Sequence, residues 1–267
     1  MSRSVAAFKT SLRRTLPSSC PRVNSKTVRH SRPGEALDLT RPHPHIAPMA
    51  SPPPQPWPTG AAEQLEPLVR RVLAPNPSPF TYTGTQTYIV GLGPGSGGGC
   101  AVIDPGPAEQ AHFDALEAAI GGEHVVAILC THTHRDHSPA SRELARRTGA
   151  PIVGCAPLAF DTAGPRADEG FDPDYEPTRV LADGEAMTGP GWTLRAVATP
   201  GHVSNHLCFA LEESGALFTG DHVMGWSTSV VVPPDGDMGA YMQSLEILHA
   251  RDDRIYYPAH GPPVEKP

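Results

Sequence analysis

The chain has 267 residues, 39% of them hydrophobic and 18% charged, which is enough for one large core or two modest ones. No apolar run approaches the roughly 18 residues that a membrane helix needs, which excludes a helical spanning protein and predicts no membrane partner. The five cysteines are odd in number and form no C-x-x-C pair, so neither a disulfide framework nor a cysteine zinc site is expected, and a reducing compartment follows.

The net charge of −7 divides unevenly: residues 1–48 carry +7 and residues 49–267 carry −14. The first 34 residues hold eight Lys/Arg and no acid, with serines and small apolar residues between them. That is the composition of a mitochondrial transit peptide, and equally of an upstream extension dispensable to a product that begins at Met49. Residues 1–48 therefore read as a disordered basic arm, in a cytoplasmic protein or, if the transit reading holds, a matrix one. A basic arm alone is too unspecific to predict nucleic-acid binding. Residues 49–62 read as a linker, since the stretch 51–58 has five prolines and favours an extended conformation. The folded domain is expected over 63–267.

In chain order, Thr87–Val90 and Ala101–Ile103 read as strands joined by a hairpin loop, Gly91–Gly99, in which six of nine residues are glycine. No Lys-Ser/Thr follows the run, so a phosphate cradle is the weaker reading. Ala108–Ile120 reads as a helix with Phe113, Leu116 and Ile120 on one face, stopped by Gly121. Val125–Cys130 is an apolar run suited to a buried strand. A helix over Ser138–Arg147, a strand over Pro151–Gly154 and a surface loop over 161–178 follow. Trp192–Val197, Leu207–Leu211 and Ala216–Phe218 read as strands. Gly239–His249 reads as a helix with Tyr241, Leu245 and Leu248 facing inward, and Ile255–Tyr257 as a last strand. Mixed strands and helices predict an α/β or α+β domain.

The placement of the histidines carries the chemistry. His132-Thr-His134-Arg-Asp136-His137 follows the buried strand directly. Three imidazoles and a carboxylate at a strand end suit zinc or a similar metal; a solvated histidine-rich turn is the alternative. Further candidates are His202 in Thr-Pro-Gly-His, Asp221 in Thr-Gly-Asp-His and His260 in Pro-Ala-His-Gly, each just beyond a predicted strand. His206 and His222 lie beside these ligands and read as substrate contacts or supports. Cys130 and Cys208 read as core residues.

The set H-x-H-x-D-H followed by His, Asp and His resembles the metallo-β-lactamase superfamily. The stretch Val69–Pro263 is also similar to the β-lactamase-like protein 2 branch and its bacterial relatives, through Asn76-Pro-Ser-Pro-Phe, Gly84-Thr-Gln-Thr-Tyr, Thr199-Pro-Gly-His and Tyr257-Pro-Ala-His-Gly. The resemblance implies a four-layer αβ/βα sandwich with two divalent metal ions, zinc foremost, at one edge. His132, His134 and His202 would hold the first ion and Asp136, His137 and His260 the second. Asp221 would bridge them, and Asp104 would support the histidine loop from behind. The implied chemistry is direct hydrolysis by a metal-bridging hydroxide, with Asp136 orienting the water or taking its proton.

Three substrates compete. The acidic domain favours a small ester, thioester or lactone. The branch resemblance implies single-stranded RNA, for which Arg70, Arg71, Arg135, Arg142, Arg146 and Arg147 would have to cluster near the site, against the alternative of a solvated helix face. The third is an acyl-glutathione of the glyoxalase II type, whose C-terminal helical region has no counterpart here. A non-enzymatic metal-stabilised scaffold is the reading from another class. Trp226, Tyr82 and His206 are the candidate pocket residues. Relatives of the branch continue past the last histidine with a helix and a winged-helix-like region, both absent from this sequence; the apolar sheet face that the helix would cover makes a homodimer one expectation.

Overall fold

The computed structural model describes residues 57–158 and 170–267, all within one compact unit, Ala47–Pro267. The expectations for residues 1–48, for most of the proline-rich linker and for 161–169 lie outside the described residues. Two mixed sheets face each other. The first has seven strands in sequence order: β1 (Ala62–Glu66), β2 (Val69–Leu73), β3 (Gln86–Val90), β4 (Gly99–Ile103), β5 (His124–Cys130), β6 (Ile152–Gly154) and β7 (Arg179–Val180). The second has six: β8 (Ala186–Gly189), β9 (Trp192–Ala198), β10 (Leu207–Leu211), β11 (Ala216–Gly220), β12 (Ile255–Pro258) and β13 (Val264–Glu265).

The period of two along a strand sorts side chains to opposite faces. Tyr88, Val90, Ala101, Ile103 and Leu129 of the first sheet meet Trp192, Phe209, Leu211, Phe218 and Tyr257 of the second in the central core. The alternate residues Ile89, Val102 and Ile128 turn outward, against Leu116 and Ile120 of α1 (Gln110–Ile120) and Leu144 of α2 (Ala140–Thr148). On the far face of the second sheet, Cys208, Ala210, Leu217 and Tyr256 pack with Leu248 of α3 (Met238–His249). The result is the four-layer α/β sandwich. Helices α1 and α2 end at Gly121 and Gly149, both left-handed. Among the described residues no helix is long and apolar enough to cross a membrane.

Strands β1, β2, β7, β8 and β13 have no counterpart in the sequence reading, and three differences bear on the packing. First, β2 is fully buried although its sequence is Val-Arg-Arg-Val-Leu. Arg70 pairs with the buried Glu123 and donates to the Ala119 carbonyl at the end of α1 (2.7 Å). Arg71 pairs with Glu63, donates to Gln86 Oε1 (2.7 Å) and lies over the Trp57 ring. Second, the far end of the expected surface loop 161–178 is exposed at Pro173, Asp174, Glu176 and Thr178 but turns Phe171 and Tyr175 inward. Third, α3 buries Leu248 but leaves Tyr241 and Leu245 half-buried, and its other buried residue is Ser244.

Helix α3 therefore rests largely on polar contacts. Ser244 Oγ donates to the Pro200 carbonyl (2.7 Å) and Tyr241 OH to the His222 carbonyl (2.9 Å). Its first turn is closed by Asp237, whose side chain accepts from Ala240 N at 2.7 Å. Replacing Asp237 with alanine is expected to cost about 1 kcal/mol, the usual worth of an N-cap, readable as a lowered urea midpoint with unchanged slope.

Candidate metal centre

Strands β4, β5, β9, β11 and β12 end at one edge of the sandwich, and each delivers one part of the site just beyond its last residue. Asp104 follows β4, His132 to His137 follow β5, His202 follows β9, Asp221 follows β11 and His260 follows β12. Two parallel pairs, β4 with β5 and β11 with β12, run toward this edge. The sheets are tied there by Leu207 N donating to the Thr131 carbonyl (2.8 Å). Two glycines permit the close approach. A Cβ on Gly220 would lie 2.7 Å from His206 Nε2 and Thr131 Oγ1, and one on Gly201 would lie 2.3 Å from the Tyr241 backbone.

The seven residues sort into two buried sets, His132, His134, His202 and Asp221, then Asp136, His137 and His260, the ligand atoms in each lying within 4.8 Å of one another. In the first, His132 Nε2 and His202 Nε2 lie 3.0 and 3.1 Å from His134 Nδ1. In the second, His137 Nε2 and His260 Nε2 lie 3.1 and 3.2 Å from Asp136 Oδ2. Asp221 faces both: Oδ2 lies 3.6 Å from His202 Nε2, and Oδ1 lies 3.2 Å from His260 Nε2 and 3.5 Å from His137 Nε2.

The nitrogens that converge are those left with a lone pair. His202 Nδ1 meets the Val230 carbonyl at 2.5 Å, and His260 Nδ1 meets the Gly84 carbonyl at 3.4 Å. A carbonyl only accepts, so each Nδ1 donates, and in the neutral ring each Nε2 presents its lone pair to the site. His137 Nδ1 likewise donates to Asp104 Oδ2 (3.0 Å). Thr131 Oγ1 donates to Asp104 Oδ2 (2.7 Å) and can accept from His132 Nδ1 (3.0 Å). Lone pairs facing one another and facing carboxylates are repulsive unless a cation lies among them. The buried His137 Nε2 and Asp221 Oδ1 make no hydrogen bond, another sign of groups aimed at an ion rather than at each other.

The electrostatics agree. Burial pushes the His260 imidazole down, but Asp221 and Asp136 outweigh it and raise its pKa to about 10. Burial likewise opposes charge at His137, and Asp136, Asp221 and Asp104 hold it well above the usual histidine range. Burial and the neighbouring imidazoles hold His132 and His202 down, His202 to about 4. The carboxylate side thus favours positive charge, while His132 and His202 stay neutral and able to coordinate. Nitrogen and carboxylate donors without thiolate fit zinc and its borderline neighbours.

Asp104 organises the loop. Its oxygens accept from Thr131 N (2.8 Å), Thr131 Oγ1 and His137 Nδ1. Its backbone sits at φ 48°, a left-handed conformation that L-residues other than glycine seldom take and that a site can hold under strain.

Of the three pocket candidates, His206 lies buried, with Nδ1 on Thr199 Oγ1 (2.9 Å) and Nε2 accepting from Asp221 N (3.2 Å), so it holds the aspartate's backbone, the supporting role of the two read for it. Tyr82 and Trp226 stack on each other at 4.6 Å, 11° from parallel. The two loops that carry them flank the His260 turn: the Gly84 carbonyl faces His260 Nδ1, and Gly225 N donates to the His260 carbonyl (2.9 Å). Sequence reasoning missed Thr85, whose Oγ1 donates to Asp136 Oδ2 (2.9 Å), and Phe171, which stacks on His134 at 4.7 Å. Neither sits in a motif that announces such a role.

The arginines on which RNA binding would draw already have partners within the chain. Arg70 and Arg71 are buried in β2 with their own partners. Arg142 pairs with Asp174, Arg146 with Glu143, and Arg147 with Glu143 and Glu117. Arg135 donates to the Phe171 carbonyl.

The profile of the Metallo-beta-lactamase superfamily matches residues 80–260, and the chain belongs to that superfamily. An atrochrysone carboxyl ACP thioesterase of Aspergillus fumigatus is 36% identical over 167 residues, 61% of this chain and 48% of that protein. The lactamase-like protein nscB of Trichophyton verrucosum is 38% identical over 138 residues, 52% of this chain and 42% of that one. The chain spans about half the length of the curated relatives it matches. Among solved structures, a metallo-beta-lactamase family protein from Thermus thermophilus aligns with a TM-score of 0.60 at 27% identity over 76% of each chain. A beta-lactamase domain protein from Burkholderia ambifaria aligns at 0.63 with 20% identity, covering 78% of this chain and 73% of that one, a likeness of fold. These matches do not single out the β-lactamase-like protein 2 branch.

Proposed function

We propose that the chain is a dinuclear, zinc-dependent hydrolase whose substrate is a small thioester. The observation that carries the dinuclear reading is Asp221, whose two oxygens face two separate ligand sets. Two bound divalent ions would supply an activated water at about neutral pH and polarise a carbonyl oxygen. The protein's part is to fix the seven ligands, keep His132 and His202 neutral, and hold Asp136 through Thr85 in reach of the water's proton. No serine or cysteine nucleophile is needed.

The thioester is supported by the name of the Aspergillus fumigatus relative, and by a domain of net charge −14 whose helix arginines are already paired and which would repel a long polyanion. The test is a panel of a thioester, an ester, a lactone and a short single-stranded RNA, given to the zinc-loaded full chain with Asp136→Ala as the blank. Thioester cleavage that disappears in the blank and with chelator is expected. RNA cleavage without thioester cleavage would contradict the substrate assignment.

A further inference from the structure

We infer that Gln86 is a positioning residue that sets the second metal position through the turn carrying His260, and that the first position is independent of it. The inference rests on the dinuclear reading. Gln86 is fully buried at the start of β3, inside the Gly84-Thr-Gln-Thr-Tyr motif but with no role assigned to it by the sequence. Its backbone N donates to the Ala259 carbonyl at 2.9 Å, and its Nε2 to the Gly261 carbonyl at 2.7 Å. It thus grips the chain on both sides of His260. Two residues along the same face, Tyr88 OH donates to the Pro258 carbonyl at 2.7 Å. Gln86 Oε1 is itself held by Arg71 Nη1 (2.7 Å) and faces Tyr88 OH (3.3 Å), which settles the amide's orientation: oxygen to the arginine, nitrogen to the turn.

The adjoining residues act on the same ligand set. The Gly84 carbonyl faces His260 Nδ1, and Thr85 Oγ1 donates to Asp136 Oδ2. Residues 84–88 therefore fix two of the three residues of the second set. None of these bonds reaches His132, His134 or His202. The consequence is an asymmetry: loosening Gln86 frees the His260 turn and leaves the three-imidazole set in place. Partners one shell behind a metal ligand are commonly worth about 10–100-fold in metal affinity.

The experiment titrates Zn2+ into the metal-free full chain in competition with a chromophoric chelator, for wild type, Gln86→Met and Gln86→Glu. The Glu variant keeps an acceptor for Arg71 and so preserves the fold, but offers the Gly261 carbonyl no donor. Expected is a dissociation constant for the weaker ion raised at least about tenfold in both variants, with the tighter ion within a factor of about three. Unchanged affinity for both ions, or equal weakening of both, would overturn the inference. A wild type that holds only one ion would overturn the dinuclear reading and this inference with it, an outcome visible before any variant is compared.

Discussion

Asp104→Asn should leave the backbone intact and disable the metal centre. Asparagine is among the few side chains that tolerate the left-handed conformation at position 104, so the effect falls on hydrogen bonding. One amide oxygen can still accept from Thr131 N. The amide nitrogen would then face Thr131 Oγ1 and His137 Nδ1, which both donate to Asp104 in the native protein. Donor would meet donor in a dry site, at a cost of roughly 1–3 kcal/mol. The lost acceptor also frees the His137 tautomer, and the hydroxyl that holds His132 loses its own anchor. Both ion affinities should fall by about 10–100-fold, unlike the selective loss expected at Gln86. Chelator competition and chemical denaturation of the metal-free protein check the two halves of this prediction. Unchanged affinity for both ions would remove Asp104 from the account.

Asp221→Ala should have the larger effect on turnover. It removes the one carboxylate facing both sets and leaves His132, His134 and His202 on one side and Asp136, His137 and His260 on the other. Asp136 would then be the only carboxylate left among the ligands. The stoichiometry should drop from two ions to one, retained by the three-imidazole set. Thioester hydrolysis should fall by more than about a hundredfold, since even the partners of ligands are worth that much. The fold should survive, because the Asp221 backbone is held independently by His206 and Ser229. Retention of two ions at wild-type affinity would contradict the bridging role.

The site was more legible in the sequence than the fold around it. The apolar run at 125–130 ends in the histidine loop and is found as β5, and the strand at Leu207–Leu211 has the predicted bounds. Motif spacing exposes residues that must point one way at a strand end, so the seven candidates could be named before their contacts were known. Strand β2 could not be read so. Two adjacent arginines break any buried pattern, and only the folded partners Glu123, Gln86 and Glu63 neutralise them. Phe171 was hidden for a similar reason: its neighbours are Gly, Asp and Pro, and only the pairing with His134 draws it inward. Gln86 and Thr85 show the general limit, since their importance lies wholly in contacts with residues far along the chain.

The central claim is that two cations share Asp221. The most direct measurement is elemental analysis of the zinc-loaded full chain, combined with anomalous diffraction at the zinc edge from its crystals. Two zinc ions per chain are expected, one in each ligand set, with Asp221 contacting both. A single ion confined to His132, His134 and His202, with Asp136, His137 and His260 holding none at saturating zinc, would contradict it.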